Sequence, residues 1–318
     1  MPVAVFGAAL HNNARHLPES LESLLSQTER DLAVVLVDDA STDATPEVAR
    51  SYAGDARVAY ERNPARRGLV GTWRRALELA RRRHPDAAYF AWASDHDVWD
   101  PRWLERMVAE LHAHPHAVLA YPLGLRIGEH GEPLRPGPPW RFDTAGIADP
   151  RRRFARFCRG GVSGDMVYGL FRAQPLESIG FPGALMPDRL LLARLSLAGE
   201  FRQVPELLWR RRYVLAVTGR RQRGTLFAAA RPAGARLPWP LAHSLELGRE
   251  LWLRAAGRPA VGRWGGLWLT AVYLATSTWR QARKQLLRPV ARLRLRERRA
   301  FRAAVDGLRG ARGRRWSH

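Results

Sequence analysis

Along the first 125 or so residues the apolar positions follow two rhythms. Val3–Ala8, Ala33–Val37, Tyr89–Ala93, Val118–Tyr121 and the shorter Val58–Tyr60 are nearly unbroken apolar runs and predict strands. Runs of this kind mark strands covered on both faces, as in a parallel sheet. Between them the apolar residues recur every three to four positions. Leu17, Leu21, Leu24 and Leu25 fall on one face of a helix over Pro18–Gln27, and Thr72–Arg83 and Trp103–His112 repeat the pattern. Thr45-Pro46-Glu47 predicts a helix start, with a capping hydroxyl, a first-turn proline and an acid at the positive helix end. Strand and helix in alternation predict an α/β fold with a mixed, mostly parallel sheet flanked by helices. The opening MPVAVFGAAL lacks a basic n-region and reads as the first strand, not a secretory leader.

The rhythm changes after Tyr121. Gly124–Gly146 contains GEHGEPLRPGPPW, which predicts a hairpin followed by a mobile loop of the kind that covers a substrate site. A strand over Met166–Phe171, a helix after Pro187-Asp188 and a strand near Phe201–Val204 follow. From about Val217 the pattern is helical with arginine-dense faces. The division expected is residues 1–216, with halves 1–122 and 123–216, and an Arg-rich helical C-terminal region, 217–318.

Charge sharpens this division. The net charge of the 318 residues is +22, yet residues 1–150 carry 17 Lys/Arg against 21 Asp/Glu and residues 151–318 carry 35 against 9. Two parts of opposite sign suggest two tasks. Leu251–His318 alone holds 17 basic and 2 acidic residues beside the apolar Leu267–Leu274 and Trp279, which suits a helix lying on an anionic membrane surface. The longest apolar stretch there, Trp264–Trp279, is shorter than the roughly 20 residues of a membrane span. No nucleic-acid-binding motif accompanies the arginines, so no specific nucleic-acid partner is expected. The lone Cys158 excludes internal disulfides and cysteine-built metal centres, reads as a small apolar residue, and fits a cytoplasmic setting. His112, His114 and His116 read as a helix-to-strand connection, not as a zinc site.

Candidate chemistry sits at strand ends. Asp38-Asp39 closes the second strand, and Ser94-Asp95-His96-Asp97 follows YFAWA. In an extended segment residues i and i+2 point the same way, so Asp95 and Asp97 are expected to face one divalent cation carrying a diphosphate while His96 faces elsewhere. Asp38 or Asp39 can accept hydrogen bonds from a base or ribose. Trp92 and Trp99 flank the acids, either as core or as a sugar platform.

In order along the chain stand His11–Leu17, Leu21–Thr28, Val37–Asp43, Gly68–Trp73, and Ser94–Asp97 with Trp99 and Pro101. Further on come Pro187–Ala193, Gly199, Phe201, Val204-Pro205-Glu206 and Arg211-Arg212. Over residues 3–213 this set resembles the family 2 inverting glycosyltransferases of GT-A fold. The resemblance implies a Rossmann-like nucleotide-binding sheet, with a nucleotide-sugar and metal half (1–122) and an acceptor half (123–216). It implies that Ala9, His11, Asn12 and Asp39 hold the donor nucleotide and that Asp95 and Asp97 bind Mn²⁺ or Mg²⁺ and the diphosphate. Asp188 matches the general base, and Arg211 and Arg212 lie in the acceptor-side segment, where they read either as ligands of a substrate phosphate or as a solvated edge strand. The partners implied are a nucleotide-sugar donor and a glycan or lipid-linked acceptor.

The chain departs from the pattern in places. Ala9 and His11 stand where the family has proline and tyrosine, and Pro187 replaces the glutamate before the base. The acid motif has two registers. One puts Ser94 and His96 on acid positions, with His96 a metal ligand; the other takes Asp95-His96-Asp97 as the triplet. These departures keep an inactive glycosyltransferase-like scaffold as an alternative. A nucleotidyltransferase needs a better phosphate loop than GAALHNNAR.

Overall fold

The computed structural model describes residues 2–134, 140–161, 163–184, 186–213, 237–253, 262, 264–283 and 285–286. The apolar runs form β1 (Ala4–Leu10), β2 (Leu32–Asp38), β3 (Val58–Arg62), β4 (Tyr89–Ser94) and β6 (Ala117–Ile127). The amphipathic stretches form α1 (Leu17–Leu25), α2 (Thr45–Ser51), α3 (Gly68–Arg83) and α4 (Trp103–Ala113). The other elements are β5 (Val98–Trp99), α5 (Pro150–Gly160), α6 (Ser163–Met166), β7 (Leu170–Arg172), α7 (Ala173–Ile179), α8 (Pro187–Ala198), β8 (Glu200–Arg212), α9 (Trp239–Leu253) and α10 (264–283).

The strands make one 8-stranded sheet in the order β3-β2-β1-β4-β7-β6-β8-β5. β1 pairs in parallel with β2 and β4, β2 with β3, and β6 with β8, whereas β7 and β5 run against their neighbours. Every residue of β2 is buried because the sheet is covered on both sides. On one side Phe6, Ala8, Leu21, Leu24, Leu36, Trp103 and Met107 join β1 and β2 to α1 and α4. On the other, Val5, Val35 and Val37 meet Trp73 and Ala76 of α3 in a core that runs on through α5 and α8. Alternate residues of the same strand thus feed opposite cores.

Several expectations are corrected. The stretch Met166–Phe171 is not one strand: α6 and a turn fill Ser163–Gly169, and only Leu170–Arg172 extends. The Thr45 hydroxyl does not cap α2; it accepts the Asn13 N–H at 2.9 Å, while the Asp43 carboxylate accepts the Thr45 N–H at 2.9 Å. The hairpin after Gly124 is present, closed by Gly128 N–H to Glu132 O and Leu134 N–H to Arg126 O. Of the predicted mobile loop beyond it, 135–139 lie outside the described residues, whereas 140–146 pack on the body of the protein, with Phe142 and Thr144 buried.

α5 and α8 pack antiparallel, each capped by an arginine of the other. Arg153, in the first turns of α5, donates to Ser196 O (3.0 Å) and Leu197 O (3.1 Å) in the last turn of α8. Arg189, in the first turn of α8, donates to Cys158 O (3.2 Å) and Gly161 O (3.5 Å) at the end of α5. Both guanidiniums are buried and satisfy carbonyls that a helix end leaves unpaired. Against this pair lie α9 and α10. Leu247, Leu251, Leu269 and Tyr273 enter the α5–α8 core, His243 Nδ1 lies 2.7 Å from the Tyr273 hydroxyl, and Arg194 pairs with Glu246 (2.8 Å) and Glu250 (2.7 Å). Residues 287–318 of the arginine-rich tail lie outside the described residues. Among the described residues no helix is long and apolar enough to cross a membrane.

β7 enters the sheet through Gly169, where a Cβ would stand 2.4 Å from Ala120 O, 2.7 Å from Leu119 Cδ1 and 2.9 Å from Tyr121 Cβ. Gly169→Ala is therefore expected to destabilise the protein by about 1–3 kcal/mol, read as a lower urea midpoint. Gly54→Ala, with open space around it, is the control and should leave the midpoint within experimental error.

Candidate active site

Because β1, β2, β4, β6 and β8 run the same way, their C-terminal ends gather on one edge, together with the N-terminal end of β7. The chain leaves β1 toward β2 on one side and returns as β4 on the other. The crevice between the ends of β1 and β4 is therefore a topological switch point, where open α/β sheets bind ligands.

The crevice is closed by short polar contacts. His11 N–H donates to Asp95 Oδ2 at 3.1 Å, and Asn13 Nδ2 donates to Asp95 Oδ1 at 3.0 Å. His11 Nδ1 lies 3.0 Å from Asp39 O, and Ala9 lies in the sheet between Val37 and Ser94. Asn12, exposed and at φ 51°, accepts the Thr42 N–H at 2.7 Å. Asp38 and Asp39 both sit at the edge but are already engaged. Asp38 accepts from Ser41 N–H (3.0 Å), the Ser41 hydroxyl and the Tyr60 hydroxyl (3.2 Å), with Arg62 at 3.4 Å. Asp39 accepts from Arg67 N–H (2.7 Å), Gly68 N–H (2.8 Å) and Asn63 Nδ2 (3.0 Å), so its carboxylate caps α3.

The acids after β4 depart from simple alternation. A bend at Asp95-His96 turns the His96 ring back, with Nδ1 2.7 Å from Asp95 Oδ1 and Nε2 3.9 Å from Asp97 Oδ1. His96 does not face away from the carboxylates; it lies between them. Burial works to raise the Asp95 pKa, but the His96 ring, the Asn13 amide and the His11 N–H outweigh it and hold it below the ordinary carboxylate value. Burial raises Asp97, and the His96 charge and the Arg212 N–H offset only part of that. Burial opposes the charge on His96, yet the hydrogen bond and charge of Asp95 and the charge of Asp97 raise its pKa.

The two buried carboxylates have the hard-oxygen chemistry that suits Mg²⁺ or Mn²⁺, with the His96 ring lying between them. As placed, no group of three His, Cys, Asp or Glu side chains among the described residues forms a coordination cluster. His114 pairs with Glu110 (3.3 Å) and Arg202 (3.0 Å).

The two arginines at the end of β8 differ. Arg212 is buried, and every guanidinium nitrogen has a partner: Nε to His96 O (2.8 Å), Nη1 to Glu129 O (2.8 Å) and Gly128 O (3.4 Å), and Nη2 to Glu19. Its backbone N–H donates to Asp97 Oδ1 at 2.8 Å. Arg211 bonds Asp165 and Gly164 O (3.1 Å), and its charge reaches His96, Asp97 and Tyr168.

Asp188 lies half-buried in the first turn of α8, whose N-cap is Met186 in the left-handed region; Asp188 is not the N-cap. Its charge acts on Tyr168, just before β7, and on Tyr273 of α10. Burial raises the Tyr168 pKa first, and the charges of Asp97, Asp95 and Asp188 raise it further against Arg211. One half-buried tyrosine thus feels the acids of both halves of the chain. Tyr168 escaped the sequence reading, as did Asn63, whose buried Oδ1 has no hydrogen-bond partner. A lone tyrosine before a glycine carries no sequence signal. Trp92 is core, packed among Trp73, Phe90, Phe171 and Phe181, and Trp99 is buried as well. The Cys158 thiol is buried and pushed up to about 12, which leaves it inert.

Residues 9–161 match the family described as Glycosyl transferase family 2. The putative glycosyltransferase EpsE of Bacillus subtilis (strain 168) is 35% identical over 109 residues, which is 34% of this chain and 37% of EpsE. Rv1520 of Mycobacterium tuberculosis (strain ATCC 25618 / H37Rv) is 30% identical over 207 residues, 62% of this chain and 55% of that protein. The chain thus spans between about a third and about half of the curated relatives it matches. Among solved structures, Staphylococcus aureus TarS 1–349 in complex with UDP aligns with a TM-score of 0.53 at 16% identity, covering 89% of this chain and 92% of that one. The sheet and its helices are the GT-A fold.

Since His96 has a pKa raised above its ordinary 6.5, its ion pairing stabilises the metal-free protein fully below that value and is lost as pH rises through the raised one. Urea midpoints measured upward from pH 6.5 should fall more steeply in the wild type than in His96→Gln. Parallel slopes would contradict this.

Proposed function

We propose that the chain is an inverting glycosyltransferase that moves a hexosyl or deoxyhexosyl group from a nucleotide diphosphate to a hydroxyl of a glycan or lipid-linked acceptor, in cell-surface polysaccharide or lipid-linked glycan synthesis. The observation that carries this reading is the pair of buried carboxylates at the switch point, Asp95 held by the His11 N–H (3.1 Å) and Asn13 Nδ2 (3.0 Å) and Asp97 by the Arg212 N–H (2.8 Å), with the charge of Asp188 in α8 acting on Tyr168 together with theirs.

In this reading the donor nucleotide lies along the ends of β1 and β2. The Ala9–Asn12 loop and Asp39 frame the base, Asp38 supports the ribose side, and Asp95 lies toward the diphosphate. Asp39 contributes by holding Arg67, Gly68 and Asn63 in place, since its carboxylate is engaged. Mn²⁺ or Mg²⁺ would be held by Asp95 and Asp97, with His96 displaced or recruited; it supplies positive charge against the leaving diphosphate. Asp188 takes the proton of the acceptor hydroxyl as its oxygen bonds to the anomeric carbon, on the face opposite the breaking bond to the diphosphate. Arg211 lies beside the same acids and is suited to an acceptor phosphate, whereas every guanidinium nitrogen of Arg212 is already engaged. The lone cysteine and the nucleotide-sugar donor both fit a cytoplasmic setting, and the basic C-terminal region fits the cytoplasmic face of a membrane.

Asp188→Asn is expected to slow transfer by about 10²–10⁴ while nucleotide binding stays close to wild type. Asp97→Ala should instead weaken metal-dependent nucleotide binding. Equal loss of binding in both variants would overturn these roles. A thermal-shift screen of UDP, GDP, dTDP and CDP, each with and without Mn²⁺ or Mg²⁺, tests the donor site. TarS binds UDP and UDP-GlcNAc in its solved complexes, which puts UDP first in the order. One nucleotide that shifts the melting temperature only with metal is the expected result; a folded protein that none of them shifts would favour an inactive scaffold, the reading suggested by His96 between the carboxylates.

A further inference from the structure

Away from the strand edge, α5 and α10 enclose a cleft of about 530 Å³. Arg151, Arg152, Arg156 and Arg159 of α5 line it, with Trp268 of α10 on the far wall. All four arginines are exposed. The one acid on its rim, Asp149, is engaged as the N-cap of α5, accepting Arg151 N–H at 2.7 Å and Arg152 N–H at 3.4 Å. The Arg151 guanidinium lies over Gly265, where a Cβ would meet its Nη2 at 3.1 Å, so the first turn of α10 lets this side chain through.

α10 itself is unusual for a surface helix. Residues 264–279 carry no charged side chain. Gly265, Gly266, Leu269, Tyr273 and Ser277 are buried on the body of the protein. The opposite face carries Trp264 (82% exposed), Leu267 (45%), Trp268 (48%) and Trp279 (68%). A helix whose outer face is apolar, with indoles at both ends, fits the interfacial zone of a bilayer, where tryptophan is favoured. Trp268 belongs to both features, so the apolar face and the arginine cleft form one continuous surface.

We propose that this surface docks on a bilayer of anionic phospholipid, with α10 lying in the interface and the α5 arginines holding headgroup phosphates. The sign of the cleft and the neutrality of the helix point to the same occupant. A soluble anion would explain the arginines but not the exposed indoles, and an apolar protein partner would explain the indoles but not the arginines. The docking element is the folded pair α5 and α10, not the residues after 286. The inference stands apart from the transfer reaction, because none of these residues touches the strand-edge site.

The test is co-sedimentation of the full chain with phosphatidylcholine vesicles, with and without phosphatidylglycerol, at physiological ionic strength. Wild type should bind only the phosphatidylglycerol vesicles. The triple variant Arg152→Gln, Arg156→Gln, Arg159→Gln should lose about a hundredfold in partitioning, at roughly fivefold per surface arginine. Trp264→Ser with Trp268→Ser should lose about tenfold, and the residual binding should vanish at high salt. Inorganic phosphate, titrated calorimetrically, should give no saturable binding. Wild-type partitioning by the triple variant would overturn the proposal and assign binding to arginines elsewhere. Equal binding to neutral vesicles, or saturable phosphate binding that the triple variant lacks, would overturn it as well. Thermal shifts with nucleotide should match wild type in every variant, so a failed donor site and a failed docking surface give different results.

Discussion

One buried guanidinium sets the geometry on which the strand-edge site depends. Arg212 ends β8, yet its contacts reach the His96 carbonyl, the Gly128-Glu129 turn and the Glu19 carboxylate of α1. Its own N–H holds Asp97. These segments are far apart in sequence. Removing that guanidinium leaves the His96, Gly128 and Glu129 carbonyls without their donor, which costs more than the net worth of any one hydrogen bond. The acids after β4 are thus held from two sides: by His11 and Asn13 at the end of β1, and by Arg212 at the end of β8.

This arrangement explains why the half of the chain that follows β6 is needed at all. β1 to β4 make the crevice, but β7 brings Tyr168, α8 brings Asp188 and β8 brings Arg211 and Arg212 to the same edge. Two antiparallel strands, β7 within an otherwise parallel sheet and β5 at its edge, achieve this. β7 between β4 and β6 reverses the chain, so that the loop before it opens on the crevice. β5 lets the segment after the acids pair with β8 through Val98–Arg210 and Trp99–Trp209.

The parallel half of the fold was legible because burial on both faces leaves an unbroken apolar signature, as in Leu32–Val37, and the helices between were legible from their leucine spacing. The acids were legible as strand-end residues. What the sequence hid was direction and partnership. Three-residue β7 is too short for any periodicity, and the bend that turns His96 between two carboxylates has no spacing to announce it. Asp39 looked like a free strand-end acid; only the structure supplies the Arg67 and Gly68 amides it caps. Arg211 and Arg212, adjacent and chemically identical, have opposite fates because one side chain points into the sheet edge and the other toward Asp165. The outer face of α10 was visible as composition, but which tryptophans it exposes depends on where Leu269 and Tyr273 find a core.

The reciprocal arginine caps of α5 and α8 bear on how far the two helices can slide. Each helix is latched to the other at both ends, so a slide of one turn would break every cap at once and strand two guanidiniums without carbonyls. The caps thus fix the register of one helix against the other. One helix carries the exposed arginines, and the other opens with the turn that bears Asp188, next to Arg189. The two helices are therefore tied at both ends, and the turn that bears Asp188 is held to the end of α5.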